Sequence, residues 1–591
     1  MKKTNNSLEQ KEVSLEAVPI VPGMAMGPVF QFRRLSFNIE DLDYDINSVK
    51  TEIHRFRSAC KKTAQMLRKT QEMSSTIYDD QFREIFESQV ALIEDNIFLQ
   101  EIENRITQNQ CSAAYAVFTV FHEKMDHFMS MENEYFRDRA LDIQDLKHKI
   151  LHAIFGIGTE YQISVPSVIF ADYLSPSDTI HFNRNLILAI VTDTGGKTSH
   201  AAIVARSLNL PYVINDKNLS KIVQQKDFVI IDSYVGRVII NPLEKTLQSY
   251  RKLKKKYTTI ESKLKKESAL PATTIDGVNV DVYANVEFLH EISDVISSGA
   301  SGIGLFRTEG IFLEKDKLPG EEEQYQIYRR FSEEMQGMPI LLRTLDAGGD
   351  KILRDIDHPQ EQNPFLGWRA IRFCIDEKDI FKTQLRAILR ANILGNIQIL
   401  IPMISCLGEI RETKKIIEEV SQELLSEGKE FFPDTEMGIM VEIPSAALMS
   451  DMFAREVDFM SIGTNDLTQY TLAVDRTNQK IARLFNDMHP AVLRLMQITI
   501  INARKNGIEV SLCGEMAANP EAIPVLLGLG LRKLSISPFM IPRIKKVIRM
   551  CNISECEALV EQLLTLPSSL EVDEKAQLFY NSKVSNSNLL L

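Results

Sequence analysis

The sequence predicts a multidomain α/β protein: a β/α domain interrupted by an all-α helical insertion, a linker helix, and a C-terminal (β/α)8 TIM barrel. Three observations carry that expectation. Eight short Val/Ile-rich runs alternate with helical patterns in the C-terminal half. In the N-terminal half, a stretch without Pro or Gly separates two segments of β/α character. A chain of 591 residues is also too long for one core, because single cores stop growing at about 250–300 residues.

The elements follow in order. AVPIVPGMAMGPVFQ (17–31) reads as short β segments broken by Pro and Gly. From about 40 to 150 apolar residues fall at helical spacing among charges, as in FREIFESQVALIEDNIFLQEIENRI. From 161 to 242 the runs VPSVIFADYL, LILAIVTDTGG, PYVIN and DFVIIDSYVGRVIINP return to β/α character. KTLQSYRKLKKKYTTIESKLKKES (245–268) is basic and charged. Without interleaved aromatics or Gly it reads as a solvated linker helix of roughly 30 Å rather than a nucleic-acid segment. The expected boundaries are 1–38 with 146–242 for the β/α domain, 39–145 for the insertion and 243–268 for the linker. The barrel takes 269–570, and 571–591 reads as a loose polar tail.

The barrel strands are VNVDVYANV, GIGLFRTE, ILLRTLDAGG, IQILIPMI, MGIMVEIP, FMSIGTNDL, EVSLCGEM and LSISPFMIP. Polar residues sit just after the apolar part of several runs, which is the C-terminal rim where barrel active sites form. Arg307 ends the second strand, Arg343 the third and Glu442 the fifth. Asn465 and Asp466 end the sixth, Arg476 follows in the next loop, and Cys513 ends the seventh. Three arginines on one face suit a polyanion, because the guanidinium fork pairs bidentately with phosphate and carboxylate. Two carboxylates at adjacent strand ends suit Mg²⁺, a hard cation that takes one or two protein carboxylates plus substrate oxygens. Cys513, with an ordinary thiol pKa of about 8.5, could give a proton to carbon or act as a nucleophile. Singly, a strand-end Arg reads as a surface salt bridge and a lone Cys as a small core residue. Jointly the set reads as Mg²⁺-dependent chemistry on a small phosphorylated acid.

Bulk properties exclude other classes. Net charge is −12, which argues against nucleic acid as the main partner. The seven cysteines include no CxxC and no zinc spacing, and read as reduced thiols of a cytosolic protein. MKKTNNSLEQKEVSLEAV lacks the apolar core of a signal peptide, and no run of about 18 apolar residues suggests a membrane span.

The stretch GGKTSHAAIVAR (195–206) leads two glycines into a histidine at a loop-to-helix transition. Gly195 and Gly196 let backbone approach a phosphate, and Thr198 and Ser199 are candidate N-caps. His200 would then lie in the first helical turn, where free N–H groups and the dipole favour a phosphoryl group and disfavour imidazolium. Alone, His200 reads either as a core imidazole or as a nucleophile.

GGKTSHAAIVAR, GIGLFRTEGIF, RTLDAGGDK, NPFLGWRAIR, VEIPSAA, SIGTNDLTQYTLAVDR and SLCGEMA together resemble the Enzyme I family of bacterial phosphoenolpyruvate-protein phosphotransferases. The likeness runs from about residue 17 to 565 and includes VPGMAMG, RDRALDIQDLKHKI and the LSPSDT turn. It implies that phosphoenolpyruvate and Mg²⁺ bind at the barrel rim. The phosphoryl group would pass to a histidine on a swivelling β/α phosphohistidine domain, leaving pyruvate, and then to a histidine of the carrier HPr docked on the helical domain. The barrel domain would form a homodimer in the cytoplasm. Residue by residue, the resemblance puts Arg307, Arg343, Asn465, Asp466 and Arg476 on substrate and Glu442 and Asp466 on the metal. It makes Cys513 the proton donor and His200 the phosphorylated histidine.

Two departures stand out: Lys197 replaces the usual Arg of GGRTSH, and PYVINDK (211–217) replaces a PAIVG-like turn. Pyruvate phosphate dikinase and phosphoenolpyruvate synthase share the histidine domain and barrel. They need an ATP-grasp domain, however, where this chain has an all-helical pattern with no Gly-rich nucleotide loop. A nitrogen-type Enzyme I would carry a further N-terminal sensory domain. A non-catalytic HPr-binding regulator is disfavoured because no rim residue is lost.

Overall fold

A computed structural model describes residues 12–584 apart from 33–38, 40–41, 43, 45, 47, 75–88, 91, 130–133, 157–162, 175–177, 179–183, 195–199, 208–209, 216–218, 314–317, 349–360, 477 and 479. The chain divides into two compact units, 1–256 and 257–591. The division falls inside one helix, Glu244–Glu267, which occupies the expected linker.

The first unit holds a sheet and a helical bundle. Its strands are β1 (Val13–Glu16), β2 (Val18–Val21), β3 (Met24–Gln31), β4 (Ser167–Ala171), β5 (Ile187–Thr192), β6 (Tyr212–Ile214), β7 (Phe228–Asp232) and β8 (Arg237–Ile240). They lie in the order β1-β8-β7-β3-β4-β5-β6-β2. The β3–β4–β5–β6 pairs are parallel, while β7 and β8 add an antiparallel edge. Residues 32–166, bundle included, are therefore an excursion between neighbouring strands β3 and β4. Along β4, Ile169 and Ala171 enter one core while Val168 and Phe170 enter the other, the period-two alternation of a sheet buried on both faces.

The bundle comprises Val49–Ser74, Asn96–Asn109, Ala113–Met129 and Glu134–Phe155. Its core includes Phe56, Leu67, Ile102, Val117, Phe121 and Ile150. Phe98 meets Phe121 edge to face at 5.1 Å. The helix His200–Ser207 joins the two cores: Ala201, Ala202 and Ala205 pack on the sheet, and Val204 on the bundle. Alanines at these positions let helix and sheet backbones approach closely.

The second unit is a closed, all-parallel eight-stranded barrel. Its strands are β9 (Asp281–Val286), β10 (Ile303–Arg307), β11 (Ile340–Arg343), β12 (Ile397–Ile401), β13 (Met437–Val441), β14 (Phe459–Ile462), β15 (Glu509–Leu512) and β16 (Lys533–Ile536). These coincide with the eight apolar runs. Leu305, Leu341, Leu400, Met440, Phe459 and Cys513 form a separate cluster, while alternate residues such as Phe306, Leu342, Ile399 and Met460 join the outer core. Barrel strands buried on both faces read as continuous apolar runs for this reason.

One expectation is corrected. Residues 571–584 are not a loose tail. The helix Ser569–Val584 seats Val572, Ala576 and Tyr580 in the barrel core. Those residues recur every four positions, a stripe too narrow to stand out among Asp, Glu, Lys and Gln. Among the described residues, no helix is long and apolar enough to cross a membrane.

Candidate active site

Parallel strands leave the barrel at one rim, so the residue after each apolar run is delivered there by chain direction alone. Arg307 is the last residue of β10 and is partly buried. Thr308 follows, and its hydroxyl donates to the Arg343 carbonyl at 2.9 Å, tying β10 to β11. Arg343 is only 7% exposed. One guanidinium nitrogen lies 2.5 Å from Glu309, another 3.3 Å from Asp346. Burial works against the Arg343 charge, and the Glu309, Asp346 and Glu442 carboxylates more than reverse it, so the group stays charged. Its Nε is buried with no hydrogen-bond partner among the described residues. A buried N–H left without a partner is costly and fits a site whose acceptor arrives with a ligand.

Asp346 also grips Arg369, which donates to it at 3.1, 2.9 and 2.8 Å. Arg369 in turn stands 3.7 Å from Asp466 and 3.4 Å from the Tyr470 hydroxyl. The backbone enforces this arrangement. Gly348 bridges to Arg369, and a Cβ on Gly348 would lie 2.1 Å from the Trp368 carbonyl. Ala370 next door has φ +53°, an unusual value for a residue with a side chain.

Glu442 follows β13 and is 2% exposed. Its Oε1 accepts from the Met403 amide at 2.7 Å, and Met403 has φ +59°. Burial first, then the Asp466 and Asp346 charges, push the Glu442 carboxyl up to about 8, with Arg343 and Arg369 opposing. Asn465 and Asp466 lie in the first turn of Thr464–Leu472, just beyond β14. Asn465 Oδ1 accepts from the Glu515 amide at 3.0 Å, linking the loops after β14 and β15. Arg476 is exposed beyond that helix, with Glu515 at 3.7 Å. Cys513 follows β15 and is 4% exposed. Burial pushes its thiol up, while Ser461, Arg343 and Arg307 pull it down.

The barrel therefore brings Arg307, Arg343, Glu442, Asp466 and Cys513 into one electrostatic cluster, with Asn465 and Arg476 on its border. His200 belongs to the other unit, where it is the first residue of its helix. Residues 195–199, with Lys197 and the expected caps, and the His200 side chain lie outside the described residues. Glu309, Asp346 and Arg369 join the rim without being singled out as site residues from sequence. Asp346 and Arg369 stand inside RTLDAGGDK and NPFLGWRAIR, but single loop charges carry no signal of burial until their partner is known.

Two carboxylates with hard oxygen donors, Glu442 buried and Asp466 half-buried, mutually repelling beside a charged arginine pair, fit Mg²⁺. Among the described residues no group of three or more His, Cys, Asp or Glu is placed to hold a metal.

Three domain families match the chain. "PEP-utilising enzyme, N-terminal" covers residues 16–139, "mobile domain" 163–236 and "PEP-binding domain" 261–553. The chain is similar to the phosphoenolpyruvate-protein phosphotransferase of Priestia megaterium, 38% identical over 562 residues, covering 95% of this chain and 98% of that one. The Haemophilus influenzae protein is 38% identical over 560 residues, with coverage of 94% and 97%. That of Staphylococcus carnosus is 39% identical over 537 residues, with coverage of 90% and 94%.

Proposed function

This chain belongs to the phosphoenolpyruvate-protein phosphotransferase family, and from that premise we propose that His200 takes the phosphoryl group of phosphoenolpyruvate bound at the barrel rim and hands it to a histidine of an HPr-type carrier. The observation that carries the reading is the Arg343 Nε, buried beside Glu442 with no hydrogen-bond partner among the described residues. Phosphoryl transfer needs positioning and charge neutralisation more than covalent help. Arg307 and Arg343 clamp the phosphate and carboxylate, Arg476 swings in from the exposed border, and Asn465 orients the substrate. Glu442 and Asp466 would hold Mg²⁺, which supplies further neutralisation of phosphate charge when bound.

The phosphorus–oxygen bond breaks with its electrons on the enolate oxygen as the His200 imidazole forms the new phosphorus–nitrogen bond. The enolate then takes a proton at its methylene carbon from Cys513, giving pyruvate. The carrier docks on the helical bundle. All seven cysteines are free thiols, which suits the reducing cytoplasm.

The barrel mediates a homodimer in this reading. Leu448 (59% exposed) and Met452 (43%) lie on the helices Pro444–Leu448 and Ser450–Phe453, with Met449 (46%) at the junction between them, and both helices pack on Pro490–Lys505 carrying exposed Ile501.

Incubation with phosphoenolpyruvate and Mg²⁺ is expected to leave an acid-labile, base-stable phosphoryl adduct on His200, mapped by peptide mass spectrometry. A His200→Ala protein that still takes up the label overturns the assignment.

A further inference from the structure

Delivering a proton from Cys513 creates a difficulty of its own. The residue is 4% exposed and shares its cluster with Leu305, Leu341, Leu400, Met440 and Phe459. A thiolate left there after proton transfer is a buried charge, which is expensive unless a donor meets it. Among the described residues, the side chain that donates to the sulfur is Ser461, whose Oγ stands 3.4 Å from Cys513 Sγ. Ser461 is itself 0% exposed, so water does not compete for its hydroxyl.

Register places the two together. On β14, Ser461 stands two residues after Phe459 and shares its lumen-facing side. Across the strand pair, Ser461 stands opposite Ser511. Cys513 lies two residues beyond Ser511, so sulfur and hydroxyl emerge on the same side of adjacent strands. The Sγ–H points elsewhere, toward the Ile462 carbonyl at 3.7 Å. Sulfur thus accepts from Ser461, while its own proton is shared with the Ile462 carbonyl, a weak acceptor contact it must leave on transfer. The backbone of Cys513 is clamped from the opposite side. Asn285 Nδ2 donates to the Cys513 carbonyl at 3.2 Å, and Ser535 holds the Asn285 Oδ1 at 2.5 Å.

We propose that Ser461 is a positioning residue for the proton-transfer step, holding Cys513 Sγ toward the substrate and receiving the charge the sulfur acquires. This rests on Cys513 being the donor. In the step, the S–H bond breaks and its electron pair stays on sulfur. The C–H bond forms from the enolate's carbon–carbon π pair, and the enolate oxygen becomes the keto oxygen of pyruvate. The thiolate is held by the Ser461 O–H until a water returns the proton.

The test uses the full-length chain, Mg²⁺, carrier protein and phosphoenolpyruvate stereospecifically deuterated at C3, in tritiated water. It reads kcat, KM and the chirality of the pyruvate methyl group. Ser461→Ala is expected to lower kcat about tenfold, the worth of one hydrogen bond to a charged group, with KM unchanged. It should also produce a racemic fraction of methyl as unprotonated enolpyruvate escapes and ketonises in solution. Ser461→Thr, which keeps the hydroxyl, restores both. Ser461→Cys, of similar size with a weaker donor, falls between. Wild-type kcat and chirality in Ser461→Ala overturn the proposal, as does a kcat loss with fully chiral product, which marks a merely structural role. Cys513→Ala separates the premise: racemic product there leaves the donor standing, whereas retained chirality removes Cys513 itself.

Discussion

At the scale of single residues, the site is governed by burial acting on charge. Glu442, Asp346, Arg343 and Arg369 are each less than a tenth exposed, and none would keep its charge there alone. The arginines are held charged by carboxylates on both sides, and the carboxylates are left in excess. Glu442 carries that excess as a pKa of about 8, against about 4.3 in an unfolded chain. Because the folded value is the higher one, the protonated group favours the folded state. That contribution is complete below about pH 4 and is lost as pH rises through about 8. If Glu442 holds Mg²⁺ as proposed, the cation competes with the same proton, so its affinity rises with pH. Mg²⁺ is therefore expected to raise the melting temperature more at about pH 8.5 than at about pH 6. Glu442→Gln should remove most of the difference. Thermal melts of the wild type with an Mg²⁺ effect independent of pH would contradict this account.

At the scale of elements, the rim is assembled by loops that meet at very short range. Three non-glycine residues there, Ala370, Met403 and Ala473, hold positive φ values of 53°, 59° and 51°. Such conformations cost about 1–3 kcal/mol each and persist where surrounding contacts over-determine them. Met403 shows the use made of it, since the turned backbone aims its amide at Glu442. Gly514 shows the same economy of space: a Cβ there would lie 1.7 Å from Thr464 Oγ1 and 2.8 Å from the Thr464 amide nitrogen. Backbone cannot yield as a flexible side chain can, so Gly514→Ala must separate the loops after β14 and β15. Those loops carry Asn465, Asp466 and Cys513. We expect a destabilisation of about 1–3 kcal/mol by denaturant melt, with a fall in turnover larger than the fall in stability alone would cause. A variant that melts and turns over like the wild type would show that the loops have slack which the geometry denies.

At the scale of the whole molecule, the chain separates its chemistry into two units. The barrel holds the anion cluster, and the mobile-domain segment holds His200 on a short helix wedged by alanines between sheet and bundle. In the proposed reading, the phosphoryl group therefore passes from a rim on one unit to a histidine on the other. The barrel's exposed apolar surface supplies the other prediction at this scale. Leu448 and Met452 would be buried in the proposed homodimer, so in that reading Leu448→Asp with Met452→Asp is expected to shift the protein from dimer to monomer in sedimentation velocity at micromolar concentration. An unchanged sedimentation coefficient would move the interface elsewhere.

The sequence by itself determined the architecture, because each part of it is a local signal. Parallel strands buried on both faces write continuous Val/Ile/Leu runs, and the bundle writes helical spacing without Pro or Gly. A barrel delivers whatever follows a run to its rim, so Arg307, Arg343, Glu442, Asn465, Asp466 and Cys513 were legible as rim residues from position alone. What a local pattern could not carry was partnership. The grip of Asp346 on Arg369, separated by 23 residues, exists only because two loops meet across a strand end. The contact of Ser461 with Cys513, 52 residues away, exists only because β14 and β15 pair in one register. The helix Ser569–Val584 reads as a polar tail in sequence for a related reason: its buried stripe acquires meaning only when there is a barrel wall to receive it. Periodicity is a property of a segment, whereas burial, charge state and hydrogen-bond partner belong to pairs of segments. Tertiary structure alone decided the latter, and with them which charges on the rim are shared.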